Sequence, residues 1–423
     1  MSNNIRKRVF WLLDSLRGGV ILKNYKEILQ NDSQRRESHL NEILNYAVKH
    51  VPYYKGRTFN VLKDFPVMNK SVFKCEGVNC ISDEFPHYKK LHTVRTSGST
   101  GTPLTVYLDP RKRRRVIADL LVINDKIGWN LGEHYVFLRN WMSNKRQSVV
   151  ERIAKNFYAV SVGDFDDNNK EKLYKHFLRH KNSIFVGYSS SVCDFMDWMT
   201  RNRIGGGKIQ LKLIHCSAED LYENKRKALR DCFCCPVYNR YSNEEVGLIA
   251  MMSDDSNVFE VNTASLRMEL LKLDSDDYVK PGEIGRVVLT DLFNRAMPLI
   301  RYDIGDLAIS YDSSDDVKSI VKLCGRSADV LHAPGGVLIG NTTASAAAEV
   351  FECILKWQLA QVSEKKFEFR YVGKLSEKEK SELRERLLIS LGKQTECEII
   401  EKASLPLNKN GKFKTIINET SNR

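Results

Sequence analysis

Leu40, Ile43, Leu44, Ala47, Val48 and Val51 recur at the spacing of one helix face, so the pattern predicts an amphipathic helix running into Pro52. From Ile184 the pattern changes. Ile184-Phe185-Val186-Gly187-Tyr188 is a short apolar run, followed by a helical stretch from Ser190 to Arg201 and then Gly205-Gly206-Gly207. Leu211-Lys212-Leu213-Ile214, a helix-like segment from Ala218 to Asp231, and Val237-Tyr238-Asn239-Arg240-Tyr241 continue the alternation. Short apolar runs separated by helices predict βαβ units around a parallel sheet. Functional groups in such sheets gather at the carboxyl ends of strands, where Tyr188, His215 and Tyr241 fall.

Gly285-Arg286-Val287-Val288-Leu289-Thr290 reads as another strand, and the character shifts after Gly325-Arg326. Lys366-Phe367-Glu368-Phe369-Arg370-Tyr371 alternates strictly. Ser376 with Glu379 forms a capping box that opens a helix, and Gly392 closes it. The expected fold is α/β: a large N-terminal domain over 1–325 with parallel βαβ sheets, and a small α+β domain over 326–423.

Composition narrows the picture. Hydrophobic residues make up 42% of the 423 positions and charged residues 28%, which excludes a largely disordered or fibrous chain. No apolar run approaches the roughly 18 residues of a membrane span. The N-terminal stretch Arg6-Lys7-Arg8-Val9-Phe10-Trp11-Leu12-Leu13 resembles a secretory leader only superficially, because Asp14 and Arg17 interrupt it and no small-residue cleavage site follows. A helix docked on its own domain is expected there, with a basic amphipathic surface helix as the alternative. The ten cysteines read as free thiols of a cytoplasmic protein. Their one dense patch, Cys216 with Cys232, Cys234 and Cys235, fits zinc spacing poorly. A net charge of +13, with Arg111-Lys112-Arg113-Arg114-Arg115 as its densest run, raises phosphate-rich partners. No interleaved aromatics accompany that run, so nucleic acid is not expected and a solvated helix face is.

The strongest local signal is Thr96-Ser97-Gly98-Ser99-Thr100-Gly101-Thr102-Pro103. Hydroxyls and glycines at that density present O–H and N–H donors to a polyphosphate at close range. It is not the GxxxxGK[ST] loop, because no lysine follows the second glycine. Thr96 to Pro103 resembles the phosphate-binding signature of the AMP-forming, acyl-adenylating ligase superfamily. Four further segments follow in that superfamily's order: Tyr241-Ser242-Asn243-Glu244-Glu245, Tyr302-Asp303-Ile304-Gly305-Asp306, Gly325-Arg326-Ser327-Ala328-Asp329, and Leu405-Pro406 with Asn410-Gly411-Lys412. Within the superfamily the chain is similar to the phenylacetate–coenzyme A ligase branch, including members found in capsule-polysaccharide pathways. Leu44 to Tyr54 and Phe65-Pro66-Val67-Met68-Asn69-Lys70 carry that likeness.

The resemblance implies an enzyme, an AMP-forming ligase. A carboxylate attacks the α-phosphate of ATP, pyrophosphate leaves, and a nucleophile then displaces AMP. Thr96, Ser97, Gly98, Ser99, Thr100, Gly101 and Thr102 would hold the β/γ-phosphates. Glu245 would hold Mg²⁺, Tyr241 would pack on adenine, and Asp306 would accept the ribose hydroxyls. Arg326 would reach the ribose or phosphates, and Lys412 would bridge the carboxylate and α-phosphate. Asp329 would be the hinge of a mobile C-terminal lid. Strand-end geometry places the acyl pocket at Tyr188, Ser189, His215 and Ser217.

Two positions depart from the pattern. Glu244 stands where a Ser or Thr is usual, and Leu331-His332-Ala333-Pro334-Gly335-Gly336 replaces a basic, Gly-rich turn. The expected acceptor is coenzyme A and the expected substrate a small carboxylic acid. The alternatives are an amine acceptor, such as an amino sugar or amino acid, and a non-catalytic nucleotide-binding homologue. The N-terminal basic helix allows weak contact with a membrane surface.

Overall fold

The computed structural model describes residues 2–95, 104–140, 151, 154–252, 256–327, 331–334, 337–339, 341–348, 350–351, 353–392, 394–406 and 413–420. Helices α1 (Asn3–Leu16), α2 (Val20–Gln30) and α3 (Ser33–His50) open the chain. Gly18 and Gly19, both at positive φ, separate the first two. Asp14 is buried and accepts the Ile21 and Leu22 N–H groups at 3.1 and 2.9 Å, so it caps α2 from the preceding helix. The periodic face of α3 buries Leu40, Ile43, Leu44 and Ala47, as the pattern predicts. After α4 (Lys70–Glu76), strands β1 (His92–Arg95) and β2 (Thr105–Leu108) pair antiparallel with Arg95 opposite Thr105, and α5 (Pro110–Lys126) follows.

The large sheet takes shape from β3 (Tyr135–Arg139), β4 (Phe157–Ser161), α6 (Asp167–Arg179), β5 (Ser183–Tyr188), α7 (Ser189–Arg201), β6 (Leu211–Ser217), α8 (Glu223–Phe233) and β7 (Val237–Asn243). These strands are mutually parallel in the order β7-β6-β5-β3-β4. That confirms the βαβ reading and accounts for the nearly continuous burial of β5 and β6, since helices cover parallel sheets. Strands β8 (Gly247–Met252) and β9 (Phe259–Val261) extend the sheet antiparallel. Strands β10 (Leu266–Leu271), β11 (Ile284–Asp291) and β12 (Tyr302–Ile309) form a separate antiparallel sheet. Two-residue β13 (Ser319–Ile320) joins the edge of the large sheet, whereas β14 (Lys322–Arg326) pairs with β12.

A distinct core lies beyond residue 330. Strands β15 (Leu331–Ala333) and β16 (Val337–Ile339), helix α9 (Asn341–Ala348), strands β17 (Ile354–Gln361) and β18 (Lys366–Gly373), helix α10 (Glu377–Leu391), and strands β19 (Glu396–Glu401) and β20 (Ile416–Asn418) build it. Phe367, Phe369 and Tyr371 alternate inward against Leu383 and Leu387. The Ser376/Glu379 capping box forms as read. Arg326 still belongs to the β12–β14 ladder, so the change of core falls after it.

The basic run on α5 is not the solvated face expected of it. Lys112 and Arg115 are fully buried. Lys112 Nζ lies 2.8 Å from Asp291 Oδ2. Arg115 donates to Glu27 at 2.6 Å, to the Ala264 carbonyl at 2.6 Å and to Ser265 at 2.7 Å, while its guanidinium lies 4.0 Å from the Phe293 ring centroid. Partners from three other elements make burial of the charge tolerable. The His39 hydrogen bond, with help from Arg115, holds the Glu27 carboxyl down to about 2. A depressed acid stabilises the fold above its ordinary value near 4.5, and that stability is lost as pH falls through about 2. Glu27→Gln is therefore expected to lower unfolding stability by about 2 kcal/mol at neutral pH. In chemical denaturation the gap to the wild type should close as pH falls from 4.5 towards 2.

Candidate active site

Two sheets meet at the site. Tyr241, near the carboxyl end of β7, donates its hydroxyl to Asp306 Oδ2 at 2.7 Å. Asp306 sits on β12 directly opposite Arg326 on β14. Arg326 approaches Asp306 Oδ1 with Nε at 3.2 Å and donates from Nη2 to the Ile304 carbonyl at 3.1 Å. Gly305, at φ 81°, makes the turn of backbone that lets both contacts form. Burial pushes the Asp306 carboxyl above its ordinary range, against the opposing pull of Arg326 and Tyr241.

Glu245 lies in the turn between β7 and β8, and its side chain is 6% exposed. Its Oε1 accepts the Tyr302 hydroxyl at 3.2 Å and faces Lys70 Nζ at 3.7 Å. Lys70 reaches this position because the chain around Met68 runs alongside β12: Met68 donates to the Arg301 carbonyl, and Asp303 donates to the Met68 carbonyl. Glu244 is exposed, lines the same cavity as Glu245, and its charge acts on Arg240.

These groups open on a cavity of about 1040 Å³ whose walls include Tyr188, Ser189, Ser217, Tyr241, Glu245 and Arg326. Tyr188, Ser189 and Ser217 stand at the carboxyl ends of β5 and β6, where strand-end reasoning puts them. His215 does not join them. It is fully buried two residues back along β6, edge-on to Trp129 at 5.8 Å, and does not line the cavity. Burial holds its pKa well below the usual imidazole range, helped by nearby Arg240. A neutral histidine walled in behind the strand end is a packing residue, which corrects its placement in the pocket. Thr96, Ser97, Gly98, Ser99, Thr100, Gly101 and Thr102, Asp329 and Lys412 lie outside the described residues. The cysteine patch shows free thiols dispersed over β6 and the end of α8, with Cys216 and Cys235 buried and Cys234 exposed.

Lys70 and Glu219 escape sequence reasoning. One Glu219 oxygen accepts the Ser190 N–H at 2.9 Å, and the other accepts the Phe413 N–H at 3.0 Å. A carboxylate of the large domain thus holds the residue that follows Lys412. Tyr222 stacking on Trp357 at 6.0 Å adds a second contact between the two cores. Phe413, Lys414 and Thr415 complete the cavity wall.

No family model matches the chain. Protein CapK of Staphylococcus aureus is 23% identical over 354 residues, spanning 78% of this chain and 75% of CapK. Among solved structures, 2-hydroxyisobutyryl-CoA ligase in the postadenylation state with R3-HIB-AMP aligns at a TM-score of 0.70 and 16% identity, over 92% of this chain and 89% of that one. The same ligase in the thioesterification state aligns at 0.55 and 17% identity, over 92% and 90%. A benzoate CoA ligase from Burkholderia xenovorans LB400 aligns at 0.55 and 13% identity, over 74% and 66%. The chain has the fold of the AMP-forming CoA ligases.

If Glu219 is what holds Phe413, Glu219→Ala should raise amide exchange at the Phe413 N–H about tenfold or more, as loss of a charge-assisted hydrogen bond implies. Exchange in the core of β18 should be unchanged. Equal protection at Phe413 in wild type and variant would remove Glu219 from this role.

Proposed function

We propose that the chain is an ATP-dependent carboxylate ligase of the cytoplasm that forms an acyl-adenylate and passes the acyl group to the thiol of coenzyme A. The observation that carries this reading is the closed network Tyr241–Asp306–Arg326 beside the buried carboxylate Glu245, all on one cavity. A substrate carboxylate oxygen bonds to the α-phosphorus, the bond to the bridging oxygen breaks, and pyrophosphate leaves. The coenzyme A sulfur then bonds to the acyl carbon, AMP departs, and the thiol proton passes to solvent. In this reading Asp306 accepts the ribose hydroxyls with its two oxygens. Tyr241 supports adenine, and Arg326 and Lys70 offset phosphate charge. Lys412 bridges the reacting carboxylate and α-phosphate as a mobile cation.

The residues fit Mg²⁺. One buried carboxylate, Glu245, beside phosphate oxygens is the sparse oxygen set this ion accepts. When bound, the ion would neutralise triphosphate charge. The better alignment with a postadenylation ligase supports a lid posed for the first half-reaction. The likeness to CapK supports the capsule-polysaccharide branch.

Carboxylate-dependent ATP–pyrophosphate exchange across a panel of acids tests the reading. Exchange is expected with a small acid, near-abolished in Lys412→Ala, and reduced about tenfold or more in Asp306→Asn through weaker ATP binding. Absence of exchange with every acid supports the non-catalytic homologue instead. If hydroxamate trapping reveals an adenylate whose AMP release an amine, and not coenzyme A, accelerates, the acceptor is an amine.

We also propose that the enzyme rests on an anionic bilayer surface through α1. Ile5, Val9, Leu12, Leu13 and Leu16 lie on one helix face, and all are exposed, Leu16 at 76%. The opposite side is fixed to the protein by buried Asp14 and by Trp11 packed edge-on against Tyr25. Residues 2–26 carry Arg6, Lys7, Arg8, Arg17, Lys23 and Lys26 against a single acid, the buried Asp14. An apolar stripe amid cations suits acidic headgroups over acyl chains. Co-sedimentation is expected with phosphatidylcholine vesicles containing phosphatidylglycerol, weakening with salt and falling about tenfold or more in Leu12→Asp/Leu16→Asp. No preference for the anionic vesicles, or a dimer that the same substitutions dissolve, would overturn this.

A further inference from the structure

At the amino ends of the parallel strands, away from the cavity, three imidazoles converge. His134 leads into β3, His176 lies on α6, and His180 follows one turn later as the residue ending that helix. Each offers a ring nitrogen, and these atoms lie within 4.8 Å of one another, the one such group among the described residues. We propose that His134, His176 and His180 bind a divalent transition-metal ion of the zinc class.

The distances suit this. Nitrogens bound at about 2.0–2.1 Å in a tetrahedron stand roughly 3.3–3.4 Å apart, and the Nε2 atoms of His134 and His176 are 3.4 Å apart. Ring centroids separated by 4.3, 4.7 and 5.2 Å keep the three imidazoles in mutual contact. The hydrogen bonds behind the site are also those of a ligand. Ser183 donates its hydroxyl to the His180 carbonyl at 2.6 Å, so its oxygen accepts from His134 Nδ1 at 2.9 Å. That fixes the proton of His134 on Nδ1 and directs the Nε2 lone pair at His176, the role a metal ligand's outer partner plays. Tyr158, stacked on His176 at 4.0 Å, holds the second ring.

His180 is exposed and lies nearly face-on to His134. A turn about its χ2 brings a nitrogen edge to the other two and leaves the fourth position open to water. Three neutral nitrogens favour zinc, copper or nickel over Mg²⁺, which keeps this site separate from Glu245. Joining the end of α6 to the start of β3 would brace the free-edge half of the large sheet, where β3 pairs with β4.

The test uses the untagged full chain without ATP, titrated with zinc chloride alone and, for geometry, with cobalt chloride. One zinc per chain is expected, together with a raised Tm and the intense visible band of tetrahedral cobalt. His180→Ala and His176→Ala should each weaken zinc binding about tenfold or more, while Cys234→Ser should leave it unchanged. His180→Ala removes an exposed side chain, and an unchanged circular dichroism spectrum would exclude misfolding. Failure of the wild type to bind zinc, full affinity in His180→Ala, or loss of binding in Cys234→Ser would each overturn the proposal.

Discussion

The buried pair between Lys112 and Asp291 is the constraint on which the site's geometry rests. Neither side chain touches solvent, so each depends on the other. Removing one partner of such a pair costs about 3–5 kcal/mol, because an uncompensated charge stays inside. Around it the junction of β2 and α5 is stitched to the turn after β11. Asp109 caps α5 through the Lys112 N–H at 2.9 Å and accepts the Arg295 N–H at 2.6 Å, while Asn294 donates to the Tyr107 carbonyl at 3.0 Å. Arg95 and Thr105, which bracket the hydroxyl-rich segment, are thereby set against the sheet whose next strand carries Asp306. Arg95, Thr105 and the strand of Asp306 thus share one foundation.

On that foundation the site places charge where it is costly. Asp306 is partly buried, and Glu245 is nearly closed off from water. Each is met by one hydroxyl and one cation: Tyr241 and Arg326 for the first, Tyr302 and Lys70 for the second. The repeated arrangement has a physical logic. A tyrosine hydroxyl satisfies a lone pair without cancelling the charge, and the cation lies at 3.2 or 3.7 Å without a close, fully paired contact. Oxygens of both carboxylates thus keep acceptor capacity toward the cavity, in a low-dielectric setting that strengthens whatever they bind.

The parallel core was legible because its signals are local and its burial is two-sided. Runs such as Ile184 to Tyr188 cannot be solvated, and helices of the right length separate them. The motifs at Tyr241, Glu245, Asp306 and Arg326 were legible as segments, and the fold brings those four onto one cavity. What was not legible depends on partners distant in sequence. Lys112 and Arg115 looked like a solvated face, since only Asp291, Glu27 and Ser265 make their burial possible. Strand-end geometry put His215 in the pocket, but it lies two residues short of the end of β6 and packs edge-on to Trp129. Lys70 stood within the segment that carries the branch likeness but with no role attached, and Glu219 had no signal beyond ordinary charged character. Their roles arise from Met68 running beside β12 and from residue 413 returning across the body.

The net charge of +13 divides accordingly into two populations. Part is internal: Lys112 and Arg115 support the scaffold and contribute little field to solvent, since carboxylates neutralise them at contact distance. An exposed part lies over residues 2–26, where the one acid, Asp14, is spent on capping a helix and is hidden from water. A density of basic residues along the chain is therefore a poor guide to where the protein presents positive potential. The densest run is mostly structure, while a sparser set on a helix with an exposed apolar stripe faces the solvent. Burial, which composition cannot report, decides which cations a partner can meet.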